Sequence, residues 1–210
     1  MIFSNREEAG KILGTKVKEK NYGKDNIVLG IPRGGVVVAR EVAAVLECKL
    51  DIIIPRKLRS QFNPELAFGA ISDDKSIVID ESLVSLLNIS EEYIEQEKKT
   101  QLEEIKRRRK KYKMDKSLPD IEGKTVILVD DGIATGATMK AGVISVKKKK
   151  PKKILVAVPV ASPQSVEELK EMTDEVICLY APAYFAAVGQ FYTEFSQTSD
   201  DEVIEILKKY

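Results

Sequence analysis

The sequence contains no histidine and no tryptophan, and it has two cysteines in 210 residues. Without histidine, the chain cannot build a Ser-His-Asp or Cys-His nucleophile system or a histidine-ligated zinc site. Cys48 and Cys178 are far apart in apolar surroundings, which predicts free buried thiols. No apolar run approaches the roughly 20 residues that cross a bilayer. The first residues also lack the basic start and apolar block of a signal peptide. We therefore expect a cytoplasmic protein without a membrane segment.

The charges of the chain nearly cancel. There are 34 Lys and Arg residues against 33 Asp and Glu, for a net charge of +1. Dedicated nucleic-acid-binding domains are usually clearly basic, so this balance argues against one. A length of 210 residues with 43% hydrophobic and 32% charged content is typical of one globular domain with a sizeable core. We expect residues 1–210 to form a single domain.

The most informative stretch runs from residue 126 to residue 138. Four β-formers, 126–129, predict a strand that is buried on both faces. Asp130 and Asp131 follow directly, and a loop of small and hydroxylated residues, 134–138, leads into a helix. The acids can accept hydrogen bonds from two vicinal hydroxyls, and the loop N–H groups and helix dipole can hold a phosphate. The stretch predicts a sugar-phosphate site; the alternative is an ordinary acidic turn before a capped helix.

This stretch resembles the phosphoribosyl pyrophosphate (PRPP) motif of the type I phosphoribosyltransferases at all thirteen positions. The resemblance implies that Asp130 and Asp131 are catalytic and hold the ribose hydroxyls. It also implies a cofactor, Mg²⁺, bound mostly through PRPP and water, with the two acids as candidate ligands. The residues implied to bind the 5′-phosphate are Ala134, Thr135, Gly136, Ala137 and Thr138.

A second loop follows the first predicted strand, 26–31. Its residues Arg33, Gly34 and Gly35 match the position of the family's pyrophosphate loop. Paired glycines let the backbone approach a ligand, and Arg33 offers a forked anion contact. The alternative is a plain β–α turn with a surface arginine.

Basic residues cluster after the second predicted strand, 50–54. Arg56, Lys57 and Arg59 begin a polar, proline-containing segment that predicts a mobile loop, with a hairpin turn at 73–75 further on. The family resemblance implies that these three cations meet the pyrophosphate from a flexible region of about 56–80. The alternative is a solvated charged loop.

A long charged helix is predicted after Ser90, within an excursion of about 89–113 that projects from the domain. Its basic end, 107–111, is most simply a solvated helix terminus, and an RNA-binding patch is the alternative. At the start of the chain, Ser4 and Glu7 form a capping box that predicts a helix over 4–21.

Strands that alternate with amphipathic helices predict an α/β fold with a doubly wound, mainly parallel sheet. Both phosphate loops then lie at carboxyl ends of strands, where such sheets bind ligands. The family carries a substrate-specifying hood near the chain terminus, which we place at about 181–198. Tyr184, Phe185 and Tyr192 are the residues expected to face a base there; the alternative is that these rings pack the hood or a dimer contact.

The resemblance implies transfer of the 5-phosphoribosyl group from PRPP to a nitrogen acceptor, a nucleobase, with release of pyrophosphate. Family members that act on 6-oxopurines carry an aspartate where this chain has Ala134, which disfavours those bases. The whole chain looks most like a group of predicted phosphoribosyltransferases whose acceptor is unassigned. The alternative is a non-catalytic regulator that senses PRPP or a nucleotide. We expect PRPP and a small-molecule acceptor as partners, a role in nucleotide salvage, and a homodimer.

Overall fold

The strand Thr125–Val129 divides its buried side chains between two apolar cores. Ile127 and Val129 pack into one core, and Val126 and Leu128 pack into the other. Successive side chains of a strand point to opposite faces. A strand that is apolar on both faces must therefore be covered on both, which requires helices on either side of the sheet.

A computed structural model of the chain describes residues 1–61, 63, 66–72, 77–112 and 120–210. The strands are β1 (Ile27–Gly30), β2 (Lys49–Ile52), β3 (Arg56–Arg59), β4 (Ala67–Ile71), β5 (Ile77–Ile79), β6 (Thr125–Val129), β7 (Lys153–Val160) and β8 (Glu175–Tyr180). The α-helices are α1 (Arg6–Lys18), α2 (Gly34–Leu46), α3 (Glu81–Leu86), α4 (Glu91–Lys111), α5 (Ala137–Lys147), α6 (Pro163–Lys170) and α7 (Asp200–Leu207), and a 3-10 helix spans Val188–Phe191.

The main sheet is parallel, with strand order β2-β1-β6-β7-β8. Leu13 of α1, Val38 of α2 and Val203 of α7 belong to one core, while Val143 of α5 and Leu169 of α6 belong to the other. The doubly wound parallel sheet predicted from the sequence is confirmed. Because β1 and β6 pair side by side, the turn after β1 and the acids after β6 emerge at the same edge.

A second, antiparallel sheet has the order β3-β4-β5. The expectation of a mobile loop from Arg56 onward is wrong for Arg56–Arg59, because these residues form a strand that pairs with β4. The physical reason is Leu58, which is fully buried between charged neighbours and anchors a strand. The turn expected at 73–75 lies outside the described residues, as does the connection 113–119.

The charged helix α4 lies on the small sheet instead of standing in solvent. Ser90 caps it, as predicted, by accepting a hydrogen bond of 3.2 Å from the Tyr93 N–H. Its buried positions are Ile94, Gln101 and Ile105, a narrow stripe with a polar residue in the middle. Among the described residues, no helix is both long and apolar enough to cross a membrane.

The first helix begins one residue later than its predicted cap. Asn5, not Ser4, is the N-cap, and its side chain accepts a hydrogen bond of 2.9 Å from the Glu8 N–H. The Glu8 carboxylate in turn accepts from the Ser4 N–H. The cap is therefore displaced by one position, because Asn caps a helix as well as Ser, while Glu8 bonds the N–H that precedes the cap and does not complete a reciprocal capping box. As a result, Arg6 is the first residue of α1.

Glu104 on α4 provides a test of how ion pairs stabilise this part of the fold. Hydrogen bonds from Arg107 and then Arg108 lower the pKa of Glu104 from 4.5 to about 2, against an opposing effect of burial. A lowered folded-state pKa contributes stability above the unfolded value, and this contribution is lost as the pH falls through the folded value. We expect Glu104→Gln to have a lower urea midpoint than wild type at pH 7. The difference between the two midpoints should shrink as the pH falls from 4.5 to about 2.

The neighbouring variant Glu103→Gln serves as the control, because Glu103 is exposed. It should change the urea midpoint little at any pH. A Glu104→Gln deficit of equal size at pH 7 and pH 3 would show that packing, not charge, explains the loss.

Candidate active site

Two carboxylates follow β6 and meet the turn that follows β1. A Cβ atom on Gly35 would lie 2.6 Å from Asp130 Oδ1 and 2.8 Å from Asp130 Cα, and a Cβ atom on Gly34 would overlap Asp131 Oδ2. Only residues without a side chain fit at these two positions. The structure thus brings together the two stretches that the sequence predicts as halves of one site.

Arg6 joins this acidic pair from the first turn of α1. Its Nε donates a hydrogen bond of 2.6 Å to Asp131 Oδ2, and its Nη1 donates one of 2.8 Å to the Ser196 carbonyl. The guanidinium carbon also lies 3.9 Å from the centre of the Phe195 ring. The side chains of Arg6 and Asp131 are only 11% and 15% exposed. One arginine therefore links α1, the acidic pair and the segment after the 3-10 helix.

The sequence interpretation missed Arg6, although the sequence carries a signal. A cation in the first turn of a helix is opposed by the helix dipole. Arg6 occupies that turn together with Glu7 and Glu8, which are the charges expected there. A residue placed against the local preference usually has a tertiary partner, and here that partner is Asp131.

The two carboxyl groups have raised pKa values. Burial raises the pKa of Asp130 well above its usual value, and the charge of Asp131 raises it further. Burial also raises the pKa of Asp131, while the hydrogen bond and charge of Arg6 act in the opposite direction. Asp130 Oδ1 accepts a hydrogen bond of 2.8 Å from the Asp131 N–H. Negative charge is therefore costly in this buried pair, so a cation or a positively charged reacting centre placed beside the two acids would be bound favourably.

The loop Ala134–Thr138 leads from the acids into α5 and is fixed from behind. The hydroxyls of Ser162 and Ser165 both donate to the Ala134 carbonyl, at 2.7 Å and 2.8 Å. Gly136 has a φ of +72° at the N-cap of α5, a conformation that favours glycine. A cavity of about 190 Å³ is lined by this loop together with Asp130 and Val188. The first N–H groups of a helix lack intrahelical acceptors, so the loop presents a site for an anion.

Arg33 lies beside the glycine turn, but its guanidinium turns toward α7. Its Nη1 is 4.0 Å from Asp200 Oδ2. Lys111 pairs with the same carboxylate oxygen, and the Tyr112 hydroxyl donates a hydrogen bond of 2.9 Å to Asp200 Oδ1. The predicted contact between Arg33 and pyrophosphate stays a prediction, as does that of Gly34 and Gly35.

The cations of β3 face the same edge of the main sheet. Arg56, Lys57 and Arg59 line a cavity of about 230 Å³, and the wall of that cavity also includes Pro32 and Thr138. These three residues therefore share a cavity with Pro32, which precedes the glycine turn, and with Thr138 at the start of α5. Their role in binding pyrophosphate is consistent with this position and remains a prediction.

The structure corrects the expectation that Tyr192 faces a ligand. Its side chain is 6% exposed, and its ring lies between Phe3, at 5.6 Å, and Phe195, at 4.9 Å. Its hydroxyl donates a hydrogen bond of 2.6 Å to the Asp131 carbonyl. Tyr192 is thus a buried support for the acidic turn, because its hydroxyl bonds a backbone acceptor and its ring packs against two other rings.

The other two predicted base-binding residues differ in their surroundings. Tyr184 is 92% exposed. Phe185 packs on Phe191, with 5.3 Å between ring centres, and lines a cleft of about 440 Å³ that includes Ala134 and Thr135. Phe185 is therefore the one of the three whose ring borders both the hood and the phosphate loop.

The fold and the site define a class of protein: a doubly wound α/β domain whose strand ends carry an acidic pair and a loop of small and hydroxylated residues that leads into a helix. A family model for the phosphoribosyl transferase domain matches residues 3–191. The chain is 40% identical over 208 residues to a "Putative phosphoribosyl transferase" of Mycobacterium tuberculosis, in strains CDC 1551 and H37Rv. This match covers 99% of the chain and 47% of the relative, so the chain spans about half the length of the curated relatives it matches.

Solved structures show the same fold. The crystal structure of the TT1426 protein from Thermus thermophilus superposes with a TM-score of 0.90 at 38% identity and covers 100% of this chain and 99% of that one. The AQ2163 protein from Aquifex aeolicus has a TM-score of 0.54 at 14% identity, covering 88% and 76%, and so shares the fold alone. The chain belongs to the phosphoribosyltransferase family.

Proposed function

We propose that the protein transfers the 5-phosphoribosyl group of PRPP to a nitrogen acceptor, a nucleobase, and releases pyrophosphate. The observation that carries this proposal is the close packing of the acidic pair, Asp130 and Asp131, against the Gly34-Gly35 turn. That packing brings the two carboxylates, the loop 134–138 and the turn 33–35 together at one edge of the sheet, which supports binding of a sugar that carries two phosphate groups.

The arrangement suits displacement at the anomeric carbon of ribose. The transition state resembles a ribosyl cation, so the site must stabilise spread positive charge and a negatively charged leaving group. Asp130 and Asp131 would hold the ribose hydroxyls and supply the negative potential. Thr135 and Thr138, with the N-terminus of α5, would hold the 5′-phosphate.

The donor atoms of the acidic pair fit the expected cofactor, Mg²⁺. Two carboxylates are hard oxygen ligands, and Mg²⁺ commonly takes its remaining ligands from substrate phosphates and water. When bound, the ion supplies positive charge that offsets the charge of the pyrophosphate. Asp130 and Asp131 are the residues that would hold it.

The acceptor belongs in the cleft beside the phosphate loop. This cleft joins Ala134 and Thr135 to Phe185 of the hood, and its volume of about 440 Å³ is in the range of small-molecule sites. Ala134 stands where the 6-oxopurine enzymes carry an aspartate, so we propose a base of another kind. A nucleobase acceptor would place the reaction in nucleotide salvage, in the cytoplasm.

A panel assay tests the proposal directly. The protein is incubated with PRPP, Mg²⁺ and a range of purine and pyrimidine bases, and pyrophosphate release is measured. We expect release with one class of base and little release with hypoxanthine or guanine. Binding of PRPP without release across the whole panel would contradict the enzymatic proposal.

One observation favours a second candidate, a PRPP or nucleotide sensor without catalysis. Arg6 already neutralises Asp131, which reduces the negative potential available to a cationic transition state. A sensor would bind PRPP in calorimetry, and its affinity would not change when bases are added. If an RNA partner reads the signal, salt-dependent RNA binding would accompany it.

A further inference from the structure

Helix α4 holds strand β3 in place through three hydrogen bonds. The Tyr93 hydroxyl donates a hydrogen bond of 2.9 Å to the Arg59 carbonyl, and Glu97 Oε1 accepts one of 3.0 Å from the Arg59 N–H. One turn further on, Gln101 Oε1 accepts 2.9 Å from Arg56 Nε. These three α4 residues are four positions apart and therefore share one face of the helix.

The sequence suggests that the basic end of α4 lies in solvent. In the structure this end is only partly in solvent. Arg108 lines the same cavity of about 230 Å³ as Arg56, Lys57 and Arg59. Its side chain is 27% exposed, whereas that of the adjacent Arg107 is 60% exposed. Arg108 Nε donates 2.8 Å to Glu104 Oε1, which fixes the direction of the guanidinium. The cavity is thus walled by three cations of β3 and one of α4.

Four cations around one cavity repel one another unless an anion lies between them. Burial lowers the pKa of Arg56, and the charge of Arg108 lowers it further, with Glu104 acting in the opposite direction. Of the nearby carboxylates, Glu104 pairs with Arg107 and Arg108, while Glu97 accepts a hydrogen bond from the backbone N–H of Arg59 and so offsets one positive charge. Among the residues that the structure describes, the four cavity cations therefore outnumber the two carboxylates beside them.

We propose that Arg108 is a further binding residue for a diphosphate group, and that α4 forms a fixed wall of this binding pocket. The ligand class is inorganic pyrophosphate or the pyrophosphoryl end of PRPP. The cavity adjoins Pro32, which directly precedes the predicted pyrophosphate loop, and Thr138, which belongs to the predicted 5′-phosphate loop. This inference rests on the proposed function in assigning the pocket to the leaving group. Because charge develops on that group during transfer, Arg108 stabilises the transition state more than it stabilises bound PRPP.

The test compares neighbouring arginines on one helix. Binding of inorganic pyrophosphate to the full chain is measured by calorimetry at two salt concentrations. Since hydrogen bonds to charged groups are the strong ones, Arg108→Ala should weaken binding by roughly tenfold or more. The matched control Arg107→Ala removes the same charge and the same Glu104 partner, but its side chain is outside the cavity, so it should bind within about twofold of wild type.

Arg108→Lys keeps the charge and the long stem, and it should recover part of the lost affinity. It also preserves the test if Arg108→Ala folds poorly. In assays with PRPP and an active base, Arg108→Ala should lower kcat as well as raise KM, a split that a merely structural role would not give. Equal weakening in Arg107→Ala and Arg108→Ala, unchanged binding in Arg108→Ala, or no pyrophosphate binding by wild type would each overturn the inference.

A second probe separates this inference from the proposed function. Ribose 5-phosphate lacks the diphosphate, so its binding should not depend on Arg108. A wild-type protein that binds pyrophosphate through Arg108 but binds neither ribose 5-phosphate nor PRPP would refute the proposed function while supporting the diphosphate pocket. Ribose 5-phosphate affinity that falls with Arg108→Ala as much as pyrophosphate affinity would contradict the placement of Arg108.

Discussion

Asp130→Asn is expected to lower PRPP-dependent turnover by at least about a hundredfold and at the same time to stabilise the folded protein at neutral pH. The activity falls because the variant loses negative potential beside the anomeric carbon. The stability rises because burial raises the pKa of Asp130 above its usual 3.8, so ionisation of this group opposes folding. Asparagine can still accept the hydrogen bond from the Asp131 N–H, which preserves the turn.

The difference in stability between wild type and Asp130→Asn should depend on pH. A group with a raised folded-state pKa costs no stability below the unfolded value and costs progressively more as the pH rises through the folded value. Thermal unfolding should therefore show similar melting temperatures for wild type and Asp130→Asn near pH 4, and a higher one for the variant at pH 8. Asp120→Asn, at an exposed aspartate, is the charge-matched control and should match wild type in activity. Normal PRPP turnover by Asp130→Asn would refute the role of the acidic pair.

Arg6→Ala should have the opposite effect on stability, with a loss of about 3 kcal/mol. The substitution leaves Asp131 mostly buried without its ion pair and removes the contacts of the guanidinium with Ser196 and Phe195. Breaking a buried pair by removing one partner is costly because a charge is left uncompensated. Turnover should fall as well, since Asp131 loses the residue that orients it.

A double-mutant cycle in urea measures this coupling. Arg6→Ala alone should be destabilised, and adding Asp131→Asn should recover stability beyond the effect of Asp131→Asn alone, because the uncompensated buried charge is then removed. Lys16→Ala is the control, because its pair with Glu19 is an exposed surface contact. Additive effects of the two site substitutions would show that the short Arg6–Asp131 contact contributes nothing specific to folding.

The parts of the site that could be predicted from the sequence are contiguous. Residues 126–138 hold a strand, two acids, a loop and a helix start in one run, and local geometry places them correctly. The Gly34-Gly35 turn is recognisable for the same reason. Its direct contact with the acids follows from the pairing of β1 with β6, which the alternation of strands and helices predicts only in outline.

The parts that could not be predicted depend on contacts across the chain. Arg6 and Asp131 are 125 residues apart in sequence, and no local pattern joins them. Tyr192 is aromatic in a segment without period, so the sequence could not distinguish a ring that stacks on a ligand from one that supports the acidic turn. Arg108 stands within a run of like residues, and only the position of α4 on β3 distinguishes it from Arg107.

The contact between Arg6 and Ser196, which spans 190 residues, has a consequence for synthesis of the protein. The Phe3 N–H also bonds to the Phe191 carbonyl, and the Thr193 N–H bonds to the Phe3 carbonyl, so an early segment is held by a late one. A ribosome makes residue 6 long before residue 196, and contacts of such separation close late in folding. Asp131 therefore acquires its full set of neighbours only after nearly all of these residues have emerged, and a nascent chain stalled before that point would carry the phosphate loop without a braced acidic pair.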